Sequence, residues 1–218
     1  MYFASRVQAG RMLANQLSER YADESCAVIA LNDGGVVVGV QIAQQLHGIP
    51  MLLLSAEIEL PREIYALAGI TAGGDFAFNE QYSPGEIEEM ASEYRIFLEQ
   101  QKLYKMHELN HLLGEGLTLN KDLLKDQIII LVSDGLRSGF ILDLAYQFLK
   151  PIAIKKLVVA TPFASVRAVD RMHVFADDLV CLNVIEDYTD TDHYYDSKDV
   201  PDHTTIIDIL ENINRNWK

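Results

Sequence analysis

Three stretches of this sequence carry residues whose types and spacing suit chemistry. The first is Ser133-Asp134-Gly135-Leu136-Arg137-Ser138-Gly139, which follows the apolar run Ile128–Val132 and precedes a helical pattern. A strand that ends this way offers backbone N–H groups and the positive end of a helix to an anion such as a phosphate. Asp134 adds a hydrogen-bond acceptor for hydroxyls, and Arg137 adds a cation at the helix entry. The second stretch is Asn32-Asp33-Gly34-Gly35, after the apolar run Cys26–Leu31. Its glycines let backbone approach a ligand, but with Gly39 they fall short of G-x-G-x-x-G, so a plain strand-to-helix turn explains them too. Asp33 there suits a magnesium ion or an amine. The third is His107-Glu108-Leu109-Asn110-His111, an H-E-x-x-H spacing that on a helix could hold zinc with the glutamate as general base. The extended form of that motif needs a third histidine where Leu117 stands, and a solvated helix face is the plainer reading.

Other candidates are weaker. Asp187, Asp190, Asp192, His193 and Asp196 could gather a metal, but a solvated acidic loop accounts for them. Tyr194 and Tyr195 read as packing residues rather than base-stacking ones. Ser133 has no histidine in its local sequence to activate it as a nucleophile.

Elements must bring these stretches together. Arg6–Tyr21 places Val7, Met12, Leu13 and Leu17 on roughly one helical face. Cys26–Leu31 reads as a buried strand, the segment after it as a helix stopped by Gly48-Ile49-Pro50, and Met51–Ile58 as a second strand. Thr71–Asp75 looks like a hairpin turn. One long helix is expected over about Glu86–Leu113, with Ser83 as N-cap, Glu86 three residues on and Gly114 after its end. Strand Ile128–Val132, helix Gly139–Leu149, a strand closed by Thr161-Pro162, helix Val166–Phe175, strand Leu179–Ile185 and a helix of about Thr204–Trp217 complete the chain. Strands alternating with helices imply an α/β fold with a mainly parallel sheet and helices on both faces. Ligands of such sheets bind beyond the carboxyl ends of the strands. The two glycine loops and the loop after Phe163 should therefore share one rim.

The 218 residues fit a single domain over 1–218, with a hood or hairpin region inserted at about 55–85 and an acidic C-terminal segment at about 186–218. Hydrophobic residues make up 49% and charged residues 23%, as in an ordinary soluble chain. A net charge of −14 argues against nucleic-acid and anionic-membrane partners, which need a basic footprint. No segment approaches the ~20 apolar residues of a membrane span, and MYFASRVQAGRM lacks the apolar core of a signal peptide. Cys26 and Cys181 fit buried, reduced thiols. A cytoplasmic location follows as the expectation.

Over most of its length the chain resembles the type I phosphoribosyltransferases, in particular a bacterial subgroup of predicted members. YFASRVQAGRMLANQL resembles that subgroup's F-x-D-R-x-x-A-G-x-x-L-A-x-x-L, and LNDGGVVVGV resembles L-P-R-G-G-V-P-V-A. ALAGITAGGDFAFNE resembles its hairpin region, LVSDGLRSG its V-D-D-G-x-A-T-G, and HYYD its W-Y-x-D. The resemblance implies a phosphoribosyltransferase-like fold with a hood. It implies that Ser133–Gly139 binds ribose and phosphate, with Asp134 as the catalytic-loop acid on a ribose hydroxyl. It also implies that Asp33, Gly34 and Gly35 form the diphosphate loop, and that magnesium enters only with 5-phosphoribosyl 1-diphosphate (PRPP). A homodimer is possible on this fold.

The departures are specific. Ser133 replaces the first acid of the pair, Arg137 a small residue, and Ser138 a threonine. Asn32-Asp33 replaces Pro-Arg, which sets an acid where the diphosphate-binding base belongs. Losing one charge-assisted hydrogen bond costs roughly 1.5–3 kcal/mol, and reversing a charge beside a polyanion costs more. The residues thus suit a small phosphorylated sugar or a nucleotide better than PRPP. Two other readings stay open: a non-catalytic regulatory or assembly module on the same fold, and a zinc peptidase using His107, Glu108 and His111.

Overall fold

The computed structural model describes residues 2–61, 63, 65–113 and 119–216. Helix α1 (Arg6–Tyr21) leads into strand β1 (Cys26–Ala30), helix α2 (Asp33–Leu46) and strand β2 (Ile49–Leu52). A three-stranded antiparallel sheet follows: β3 (Ser55–Ile58), β4 (Ala68–Thr71) and β5 (Phe76–Phe78). Helices α3 (Pro84–Glu93) and α4 (Arg95–Leu113) cover it. The chain then runs through β6 (Ile128–Val132), α5 (Phe140–Leu149), β7 (Lys156–Ser165), α6 (Val166–Phe175), β8 (Asp178–Ile185) and α7 (His203–Asn216).

The larger sheet is wholly parallel in the order β2-β1-β6-β7-β8. Its central strands are apolar throughout because both faces are buried. Alternation along β6 assigns the faces. Ile128, Ile130 and Val132 pack with Leu13 and Leu17 of α1 and with Val38 and Ile42 of α2. Ile129 and Leu131 pack with Leu142 and Phe148 of α5 and with Ala168 and Met172 of α6. The expected α/β architecture with helices on both faces is therefore present.

Three local expectations need correction. Met51–Ile58 is not one strand: β2 ends at Leu52 and β3 begins at Ser55 in the other sheet. Met51, Leu52 and Leu53 are buried, whereas Glu57 is exposed. The change from a continuous to an alternating pattern marks the hand-off, and the apolar run conceals it. The helix expected over Glu86–Leu113 begins two residues earlier and is broken at Tyr94, whose ψ of 20° interrupts it. Tyr94 packs with Met90, Phe97 and Leu98 under the small sheet, and no Pro or Gly announces the bend. The N-terminal signal is present as a full capping box between Ser83 and Glu86. The stop at Gly114 and the end of the last helix at Trp217 lie outside the described residues.

Pro162 does not close the seventh strand. β7 continues through it to Ser165. Ser133 N donates to Ala160 O at 3.4 Å, and the next bond on that side would need an N–H at residue 162, which proline lacks. The ladder opens there and resumes where Leu136 pairs with Ala164. On the other side the register with β8 runs on, Thr161 against Cys181 and Phe163 against Asn183. The opening leaves Ser133–Gly135 out of the sheet at its carboxyl rim.

Since Ile130 is fully buried at the sheet centre, Ile130→Ala should cost about 2–5 kcal/mol in urea unfolding. Val174→Ala, on an exposed residue of α6, should stay within about 0.5 kcal/mol of the parent.

Candidate functional site

β1 and β6 are neighbours in register, with Ala30 beside Val132, so the loops that follow them meet at the rim. Asn32 caps α2 by accepting from Gly35 N at 2.7 Å. Its amide also donates to Asp134 Oδ1 at 2.8 Å, which ties the two loops together. Gly34 makes that approach possible: a Cβ there would lie 2.0 Å from Asp134 Oδ2.

The other side of Asp134 faces Arg6. Arg6 Nε donates to Asp134 Oδ2 at 2.6 Å, and the two side chains are only 2% and 5% exposed. Nη1 reaches Asp199 at 3.3 Å, Nη2 pairs with Asp192, and the Arg6 backbone N–H donates to Asp199 at 2.9 Å. The guanidinium lies 4.3 Å from the centre of the Tyr195 ring, and the Tyr195 hydroxyl donates to Asp134 O at 2.7 Å. Burial works against the charge of Arg6, but Asp134, Asp192 and Asp199 outweigh it and raise its pKa above the ordinary arginine value. The expectation that Asp134 offers its carboxylate to a ribose hydroxyl thus meets a buried group with both oxygens engaged by protein.

The rest of the loop divides in two. Ser133 is buried and turns inward, its hydroxyl donating to Gly135 O at 2.9 Å. Leu136 is core: its side chain is buried, its N–H donates to Phe163 O, and its carbonyl accepts from Ser165 N, each at 2.9 Å. Beyond it the chain turns outward. Among the described residues no acceptor takes the N–H of Arg137, Ser138 or Gly139. The loop is braced from below, where Ser165 Oγ donates to Arg137 O at 2.5 Å. Gly139 caps α5 with φ of 76°, and a Cβ there would come within 2.9 Å of Arg171 Cβ. Glycine is required there on both counts.

Arg137 and Ser138 line a cleft of about 630 Å³ between the rim and the small sheet, while Gly139 is buried behind them. Arg137, Ser138, Ser165 and Arg167 form its floor side; Glu57, Glu59 and Tyr65 face them. Arg137 and Arg167 thus lie across from Glu57 and Glu59, and Glu186, which follows β8 beside Ser165, adds a third carboxylate on the cations' own side. Although solvent still reaches Glu57, partial desolvation at the cleft wall and the neighbouring Glu59 raise its pKa, and Arg137 partly offsets them. Tyr188, also at the cleft, is pushed up to about 12, chiefly by burial. An adjoining recess contains Arg171, which pairs with Asp143 at 2.6 Å and Glu80 at 2.8 Å. Burial lifts the Asp143 carboxyl to about 6 against the pull of Arg171.

Asp33 points away from this cleft. Its carboxylate meets His203 Nδ1 at 2.9 and 3.0 Å, at the start of α7. The acid in the expected diphosphate loop therefore has a partner that the sequence reading did not foresee. His203 is 170 residues away and sits in no motif. Arg6 was also missed as a functional residue, yet it left a trace, because it extends the buried stripe of Ala9, Leu13 and Leu17. His107, Glu108 and His111 are all exposed on α4, and Glu108 pairs with Lys105 at 3.2 Å. Among the described residues no three His, Cys, Asp or Glu side chains gather as a metal site; Leu117 lies outside those residues. Asp192 serves Arg6, while Tyr194 and Tyr195 pack with Phe3 and Phe163. Removing Arg6 strands a buried carboxylate, so Arg6→Met should cost about 3–5 kcal/mol in urea unfolding. Adding Asp134→Asn should recover part of that loss, a non-additivity that a double-mutant cycle measures.

No family model matches the chain. Two Mycobacterium tuberculosis proteins, from different strains and both provisionally named phosphoribosyl transferase, are 25% identical to it over 181 residues, which is 83% of this chain. The chain spans about 40% of the length of these curated relatives. Among solved structures, TT1426 from Thermus thermophilus superposes with a TM-score of 0.75 at 25% identity, covering 97% of this chain and 99% of that one. The overall fold is thus shared with TT1426, and the sequence is similar to that of proteins named for phosphoribosyl transfer.

Proposed function

We propose that the protein is a phosphoribosyltransferase-like binder of a small phosphorylated sugar or nucleotide. The observation that carries this reading is the pair of unpaired N–H groups at Arg137 and Ser138, residues that line the cleft together with Arg167. A phosphate there accepts backbone N–H donors at the positive end of α5 and is neutralised by the two guanidinium groups. Glu57 and Glu59 on the opposite wall accept hydrogen bonds from hydroxyls of the same ligand. The similarity to proteins named phosphoribosyl transferase supports the ligand class.

We infer binding rather than transfer from PRPP. Asp134 is held by Arg6 and Asn32, and Asp33 by His203. No carboxylate of either loop is free to hold magnesium, so the residues do not fit a magnesium-diphosphate site. A regulatory or assembly role for the bound state agrees with this arrangement. No helix among the described residues is long and apolar enough to cross a membrane. Both cysteines are free thiols, which suits a reducing cytoplasm.

Calorimetric titration tests the reading. Ribose 5-phosphate or a nucleoside monophosphate should bind, and PRPP with magnesium should bind no tighter. Arg137→Ala should weaken binding about tenfold, the equivalent of one charge-assisted hydrogen bond. Tightest binding by PRPP with a strict need for magnesium would overturn the proposal, as would silence from all three ligands.

A further inference from the structure

A second cleft, of about 470 Å³, lies between α4 and the carboxyl rim on the far side of Glu57, which lines both spaces. Its walls are mostly aliphatic: Leu31, Leu54, Leu109, Leu112, Ile141 and Leu144. Asp33 and His203 stand in this apolar lining. Nδ1 of His203 is bound to Asp33 at 2.9 Å. That bond orients the imidazole and, in the neutral ring, leaves the lone pair on Nε2. Nε2 is buried and has no hydrogen-bond partner among the described residues. An acceptor withdrawn from water without a donor is costly, and a ligand that supplies the donor recovers the loss.

We propose that this cleft is a ligand subsite for a flat apolar ring bearing one N–H or O–H donor, with His203, oriented by Asp33, as its polar anchor. Aliphatic walls at this scale suit an aromatic ring system, and Nε2, a buried nitrogen without a partner among the described residues, selects for a donor at that point. Access needs a small shift of the imidazole or of a wall leucine; Leu112, 43% exposed, stands at the wall with room to move. The subsite does not depend on a phosphate at Arg137. Where both sites are filled, Glu57 lies between them.

The test titrates the full chain, isotopically labelled at all nitrogens and at its isoleucine and leucine methyls, with indole and with 1-methylindole, which has the same ring but no donor. Indole should saturably shift the methyl signals of Leu109, Leu112, Ile141 and Leu144 and the ring-nitrogen signal of His203. 1-Methylindole should bind about tenfold more weakly, the loss of one buried hydrogen bond. His203→Leu should erase that difference. Leu112→Trp, at a partly exposed position that folding tolerates, should block both rings while leaving His203 in place. Equal affinity for the two rings, no saturable shift, or binding that survives Leu112→Trp would overturn the proposal. Ribose 5-phosphate added to the same sample reports on the amides of Arg137–Gly139, so failure of the phosphate reading registers separately.

Discussion

One cation buried among three carboxylates sets the geometry of the rim. Arg6 has lost its water, and only its contacts with Asp134, Asp192 and Asp199 make that tolerable. Each contact fixes a different part of the chain. Asp134 brings the loop after β6 against α1, and through Asn32 and Gly34 the start of α2 follows. Asp192 and Asp199 draw the segment between β8 and α7 over the N-terminal helix. Tyr195 then stacks on the guanidinium and bonds the Asp134 carbonyl. A carboxylate that a ligand-binding loop would expose has become the centre of an internal brace. The part of the loop still open is the backbone after it.

That division leaves local positive potential at the rim of an acidic chain. Surface charge at a net −14 is screened over roughly a Debye length, about 8 Å at physiological ionic strength. Contacts inside a cleft are screened far less. Most acidic residues near the rim are matched, as Asp134 by Arg6 and Asp33 by His203, or placed across the cleft, as Glu57 and Glu59; Glu186 stays on the α6 side. On the α5 and α6 side the partial positive charge of N–H groups and the full charges of Arg137 and Arg167 outnumber the one carboxylate of Glu186.

Much of the fold was legible because it is written in local patterns. The uninterrupted apolar run Ile128–Val132 signals a strand buried on both faces, and Ser83 with Glu86 signals a capped helix. The errors fall where a tertiary contact decides. Tyr94 bends a helix to fit a core, and Pro162 stays in a strand because its missing donor faces a gap. The site was legible as a loop but not as a set of partners. Ser133 and Asp33 stand out in sequence as wrong residues for a PRPP site. Nothing local says that Ser133 folds back on its own turn or that Asp33 meets a histidine 170 positions away. Arg6 could have been suspected, since a charge on the apolar stripe of a helix must find counter-charges when it is buried.

The brace also has a consequence in time. Arg6 is made early, whereas Asp192, Tyr195 and Asp199 are made nearly 200 residues later. At roughly 5–20 residues per second, synthesis leaves that guanidinium without two of its three counter-charges for about 10–40 s. In a nascent chain α1 therefore has reason to stay undocked, since docking it early would bury a cation matched only by Asp134. The loop after β6 acquires its final shape only when the segment around Tyr195 closes over the segment around Phe3, to which it runs parallel. Assembly of the rim thus waits for the segment Asp192–Asp199, made nearly 200 residues after Arg6.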